Sequence, residues 1–180
     1  QTTAEHAIHF WNQAADMLVE KNIIINCDRA IGFGLDGRGA SGGVIRNNMI
    51  YHAANAGQFA DVSIYLVESP GTQVYNNTIF MENSYPRSIE YRFASTINVM
   101  IANNLTNKPI MARDGATGTV SSNITTASSS WFVNPPQGNL HLATANSSVV
   151  DRGQAVVGLV DDFDGNPRPQ GTGIDIGAHE

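Results

Sequence analysis

Lysine is almost missing from this chain. Among 180 residues only Lys21 and Lys108 carry it, and charged residues make up 14%. Sixteen acidic residues against ten basic ones give a formal charge of −6, and no basic cluster forms. That balance argues against nucleic acid as a partner, because a phosphate backbone is held by concentrated positive charge. Cys27 is the sole cysteine, so no disulfide can form within the chain. It follows Ile23-Ile24-Ile25 and reads as a small apolar core residue. No apolar run approaches the ~20 residues that a membrane-spanning helix needs, which argues against insertion in a bilayer. The length suffices for one domain with a real core.

What the chain has in plenty is asparagine, and five of them recur at one place in a short motif: Asn22, Asn48, Asn77, Asn104 and Asn123. Three residues before each stands Val19, Ile45, Val74, Ile101 or Val120. Two after stands Ile24, Ile50, Ile79, Thr106 or Thr125. Self-similarity at intervals of some two dozen residues is the signature of a stacked-repeat architecture. The units are rich in Val, Ile, Thr, Asn and Gly and alternate with period two, so the repeat is built of strands rather than helices.

Each unit has a second apolar stretch upstream of its asparagine: Ile8–Trp11, Ile31–Leu35, Ile64–Val67, Ile89–Phe93 and Ile110–Arg113. A rung is therefore expected to hold a first strand, a short second strand ending at the asparagine, and a third strand beyond it. Rungs stack at about 4.8 Å, and like positions form ladders along the axis. An asparagine at the bend can bond the local backbone and the asparagine of the next rung, and it tolerates the left-handed conformation that bends require. Four Asn-X-Ser/Thr triplets occur, at Asn76, Asn104, Asn123 and Asn146. Two of these are ladder positions expected to face inward, where a glycan has no room.

This pattern, over about residues 5 to 127, resembles the right-handed parallel β-helix superfamily, the fold of pectate lyases and related polysaccharide enzymes. The resemblance implies an all-β, right-handed parallel β-helix (solenoid) of about five rungs, with residues 1–127 forming the rungs. After Asn123 the register is lost, and Pro135-Pro136 would break strand pairing. Residues 128–180 are expected to form an irregular C-terminal tail that caps or braces the solenoid. Asp164-Gly165-Asn166-Pro167-Arg168-Pro169 and the closing Asp175-Ile176-Gly177-Ala178-His179-Glu180 resemble the C-terminal segment of many secreted bacterial β-helix proteins of undefined role. Asp162-Phe163-Asp164-Gly165 offers spaced carboxylates of a kind that suits calcium. The twelve-residue EF-hand pattern is missing, however, and a tight turn with Arg168 paired to a carboxylate explains the residues as well.

Strict alternation places Ile8, Phe10, Ile31, Phe33, Ile64, Leu66, Ile89, Tyr91, Ile110 and Ala112 inside. The outward set on the first-strand face then includes His9, Trp11, Tyr65, Glu90, Arg92 and Arg113. Arg92 and Arg113 should sit one rung apart, where they repel unless something negative lies between them. Glu90, a uronate carboxylate or a sulfate would serve. Trp11, His9 and Tyr65 offer surfaces for stacking on sugar rings.

β-Helix polysaccharide lyases resemble this layout, and the resemblance assigns roles. Arg92 and Arg113 would neutralise a uronate carboxylate, His9 or Tyr65 would transfer protons, and Glu90 or Glu68 would hold a metal such as Ca2+. The face carries no Asp-rich calcium cluster, no lysine base and no paired aspartates of a hydrolase. His52 and Asp61, in the long connection from Tyr51 to Asp61, are second-rank candidates. The expected function is a secreted or cell-surface protein that binds or processes polysaccharide, with uronate lyase activity as its sharpest form. The alternative is a non-catalytic structural solenoid, such as an adhesin or filament subunit, self-associating through its N-terminal rung. Repeats begin near Ile8 with little before them to act as a cap. The expectation is that this chain is a piece of a longer protein, or that its open rung meets another chain.

Overall fold

The computed structural model describes residues 5–56 and 61–180. Three parallel sheets stack the repeats into a β-solenoid of about 4 turns. The first sheet holds β1 (His6–Phe10), β4 (Arg29–Phe33), β7 (Val62–Val67), β10 (Arg87–Arg92) and β13 (Ile110–Arg113) in that order. The second holds β2 (Leu18–Glu20), β5 (Val44–Arg46), β8 (Gln73–Tyr75), β11 (Val99–Ala102) and β14 (Gly118–Ser121). The third holds β3 (Ile23–Ile25), β6 (Met49–His52), β9 (Thr78–Met81) and β12 (Leu105–Thr106). The five expected rungs are thus five strands in two sheets and four in the third. The last repeat contributes there only a bridge from Ile124 to Leu105.

Pairing follows the sequence repeat residue by residue. Ile8, Ile31, Ile64, Ile89 and Ile110 form one ladder of the first sheet. Val19, Ile45, Val74, Ile101 and Val120 form another in the second. These β-branched side chains suit a pleated, close-packed stack. The core runs along the axis through Ile31, Phe33, Ile45, Ile64, Leu66, Val74, Ile79, Ile89 and Ile101, and Cys27 packs at its margin.

At the bend between second and third sheets the asparagines form the expected ladder. Nδ2 of Asn22, Asn48, Asn77 and Asn104 each donates to Oδ1 of the next asparagine at 2.9 Å. Nδ2 of Asn77 also reaches the carbonyls of Ile45 and Tyr75, while its Oδ1 accepts the backbone N–H of Asn48. One amide therefore satisfies backbone groups that the bend would otherwise leave buried and unpaired. The left-handed residue, however, is the one before the ladder position: Lys21, Asn47, Asn76, Asn103 and Ser122, with φ of 57°, 51°, 52°, 55° and 53°. The ladder asparagine was expected to take that conformation. It does not, because the left-handed residue turns its own side chain out of the barrel and sets the next one pointing in.

That outward residue is where the tail docks. Asn47 Nδ2 donates to the carbonyl of Asp161, Asn76 Nδ2 to those of Asp175 and Gly177, and Asn103 Nδ2 to that of Gln154. Lys21 pairs with Asp161 at 2.6 Å. The tail begins with a small antiparallel pair, β15 (Phe132–Asn134) and β16 (Asn139–Leu142). It packs Phe132, Leu140, Val149, Ile176 and Ala178 on the outward side chains Met49, Tyr51, Phe80 and Leu105 of the third sheet. It therefore braces the side of the solenoid. Both Asp162 oxygens accept N–H groups, from Asp164, Asn166 and Glu180, so that turn is held by hydrogen bonds. Arg168 is buried against Glu180 at 2.5 Å. The described residues include no helix long and apolar enough to cross a membrane.

Replacing Asn77 by Ala orphans several buried groups at once and is expected to cost about 3 kcal/mol or more. The same change at the partly exposed Asn123 should cost roughly half that. Urea denaturation of the two variants measures the difference.

Candidate functional site

The outer face of the first sheet gathers the side chains with chemistry. His9, Gly32, Tyr65, Glu90 and Met111 form one outward ladder, and Val67, Arg92 and Arg113 the next. Arg92 and Arg113 are paired neighbours on β10 and β13, as their spacing implied. Their mutual repulsion is relieved by two different acids. Arg113 Nη1 lies 3.2 Å from both Glu90 oxygens, whereas Arg92 reaches Asp114 at 2.5 Å and donates to Tyr65 Oη at 3.2 Å.

Two candidates are less accessible than alternation implied. Glu90 is fully buried. It is held between Arg113 and Arg87, which makes it the charge partner of two arginines rather than a group open to a metal or a sugar. Tyr65 is only 8% exposed. The Arg29 guanidinium lies 4.3 Å from its ring centroid and the His6 ring stacks on it, so Tyr65 offers no free face to a sugar. Trp11 is 40% exposed and carries the Arg38 guanidinium 5.1 Å from its ring. His9 lies between His6 and Trp11, with Nε2 2.9 Å from the Gly34 carbonyl. A carbonyl can only accept, so Nε2 is the donor of this bond.

His6, Arg29, Arg38, Arg87 and Asp114 join this face without having been foreseen. The reason is a local break in period two. Ala30 and Ile31 both enter the core, so Arg29 turns outward, over Tyr65 and to Asp61 at 2.8 Å. Arg87 likewise reaches the outward-facing Glu90, with Ser88 and Ile89 both buried behind it. Gly32 makes room for the His6 ring, since a Cβ there would lie 2.5 Å from it. Burial, then the charges of His9 and Arg29, push the His6 imidazole down to about 3, so it is neutral at pH 7. Of the second-rank candidates, Asp61 is the partner of Arg29. His52 is buried behind the sheet, 3.1 Å from Ser63 Oγ, and burial pushes it down to about 4. It plays a packing part. Residues 57–60 of the connection between them lie outside the described residues. Glu68 sits at the left-handed end of β7, its backbone against Gly39.

The face is thus an ion-paired surface. It carries five of the chain's eight arginines (Arg29, Arg38, Arg87, Arg92 and Arg113). The three acids that pair with them are Asp61, Glu90 and Asp114. Among the described residues Arg38 has no acidic partner within 4.0 Å. Compared with protein-family models, with curated proteins and with solved structures, the chain gives no significant match.

Glu90→Gln would leave Arg87 and Arg113 without their shared counter-charge in a desolvated position. The expected loss of stability is about 3 kcal/mol, measured by thermal and urea unfolding. Asp114→Asn, at the exposed pair, should change it by less than about 1 kcal/mol.

Proposed function

We propose that the outer face of the first sheet binds an acidic polysaccharide laid along it. The observation that carries this reading is the concentration of arginine. A chain of formal charge −6 places most of its guanidinium groups on one sheet face, beside an exposed tryptophan. Guanidinium groups suit carboxylate and sulfate through paired N–H donors, and an exposed indole suits the apolar face of a sugar ring. Arg38, Arg92 and Arg113 would meet the acid groups, and Trp11 the ring. Such a ligand fits a secreted or cell-surface protein, and the fold suits kinship with the polysaccharide lyases of the parallel β-helix superfamily.

A lyase step on this face would need a base beside the uronate carboxylate that Arg92 and Arg113 hold, because C5 adjoins that carboxylate. His9, on β1, stands three strands from Arg92, about 14 Å away, and is not placed to take the C5 proton. The burial of Tyr65 and the neutralised state of Glu90 favour binding over this step.

Electrophoresis through gels containing polygalacturonate, alginate or a neutral glucan, with and without Ca2+, tests the reading. Retardation by a uronate polymer and not by the glucan is expected, fading with added salt. Arg92→Ala with Arg113→Ala should weaken it by about tenfold or more, and Arg38→Ala less. Equal mobility in all gels would sink the proposal. A rise in ultraviolet absorbance on incubation with the retained polymer would add the elimination.

A second reading has its own observation. The first rung exposes Phe10, Leu18, Ile23 and Ile25 along the edges of β1, β2 and β3. We propose that this edge accepts a further parallel rung from a second copy, which would extend the solenoid. Sedimentation velocity should then show concentration-dependent assembly that Leu18→Glu abolishes. A single monomeric boundary at every concentration would dismiss it.

A further inference from the structure

Away from the first-sheet face, the tail assembles a cluster whose members come from three separate segments of the chain. His141 lies on β16, Asp164 in the turn that follows Asp162, and His179 next to the last residue. Their ligand-capable atoms all lie within 4.8 Å of one another. His141 Nε2 is 2.8 Å and His179 Nε2 4.0 Å from the same Asp164 oxygen, Oδ2. We propose that His141, Asp164 and His179 bind a divalent transition-metal ion of the zinc class.

Three arguments support it. The first is spacing. Two ligand atoms at ~2.0 Å from a tetrahedral zinc stand about 3.3 Å apart, and the distances to Asp164 Oδ2 bracket that value. Shifts of well under 1.5 Å in three partly exposed side chains would close the site. The second is the tautomer of His141. Its Nδ1 lies 2.6 Å from Asn139 Oδ1, and its own backbone N–H donates to that same oxygen at 3.3 Å, which fixes which way the amide faces. Nδ1 therefore carries a proton and leaves Nε2 as the coordinating atom, where a metal ion would take the place of the hydrogen that Nε2 shares with Asp164 Oδ2 at 2.8 Å. This is the outer hydrogen bond that orients a metal-ligating histidine.

The third argument is rigidity of the supports. Asp162 Oδ1 accepts the N–H of Asp164 and its Oδ2 that of Glu180, so one buried carboxylate ties down the backbone on which two ligands sit. The N–H of Phe163 donates to the Ala178 carbonyl at 2.7 Å, and that of Ala178 to Thr78 Oγ1 on the solenoid at 2.9 Å. The Phe163 ring meets that of His141 edge-on. Two imidazoles and one carboxylate select zinc-class ions over calcium, which prefers an all-oxygen shell. Three protein ligands leave a fourth position to water, and His179 also lines a small cleft with Leu142, Val150 and Glu180. The ion would staple β16 to the C-terminal segment at the solenoid's side.

Calorimetric titration of chelator-stripped protein with zinc chloride, and separately with calcium chloride, tests the site. One zinc per chain and no calcium binding is expected. His141→Ala and His179→Ala should each weaken zinc binding by about tenfold or more, and Asn139→Ala by about tenfold. Because His6 and His9 form a second imidazole pair, His6→Ala with His9→Ala serves as the control and should leave stoichiometry and affinity unchanged. In the wild-type protein, zinc should shift the Nε2 resonances of His141 and His179 in long-range 1H–15N spectra, a readout independent of how the variants fold. Absence of zinc binding, binding undiminished in folded His179→Ala, or binding lost with His6 and His9 would each overturn the assignment.

Discussion

Everything in this molecule is organised around one bend made by two consecutive residues. The first takes a left-handed backbone and turns its side chain outward. The second turns inward and donates to its counterpart on the next rung. In three rungs both are asparagine, at Asn47-Asn48, Asn76-Asn77 and Asn103-Asn104. A short amide suits both jobs: it tolerates the left-handed region and it can donate and accept at once. The inner row closes the backbone accounts of the solenoid, and the outer row gives the tail a track of amide groups to dock on. The tail follows that track because its carbonyls at Asp161, at Asp175 with Gly177, and at Gln154 each accept from the outer asparagine of a successive rung.

The first sheet shows how the same repeat makes a chemically distinct face. At the start of β4 and β10 two consecutive residues are buried, and the residue before them swings outward as an arginine. The consequence is electrostatic. Arginines accumulate on one surface of an acidic protein, tied together by few carboxylates, of which Glu90 is the deepest. Burial of Glu90 between two guanidinium groups anchors them, while Arg38 and Trp11 at the rim keep free surface for a ligand. The proposed polysaccharide face therefore rests on the interior packing of the sheet as much as on its outward residues.

Asp162 occupies a comparable place in the tail. Its carboxylate is buried, which by itself would raise its proton affinity. Hydrogen bonds from Asn166 and from the backbone of Glu180 outweigh that and hold it below the usual carboxylate range. The same contacts bring the Asp164 turn and the His179 segment together beside His141. A reading of Asp162 as a calcium ligand and a reading of it as a turn residue use the same sequence. What separates them is whether its oxygens face solvent or N–H groups, and they face N–H groups.

By itself the sequence determined the solenoid, its three strands per rung and the register of its ladders. Those follow from a repeat in which Ile, Val and Asn return to the same places and from the short range of parallel pairing. It also determined that Arg92 and Arg113 would be neighbours, since both sit at one position of adjacent repeats. Only the tertiary structure decided which outward residues are reachable. Tyr65 and Glu90 lie on the expected side of their strands and are nonetheless covered, because Arg29, Arg87 and His6 fold over them from positions that period two assigns to the interior. It alone decided how the tail lies, because the tail has no repeat to fix its register. Its path depends on hydrogen bonds and apolar contacts between residues some 50 to 140 positions apart. The meeting of His141, Asp164 and His179 is a product of that path, and no local pattern in the chain announces it.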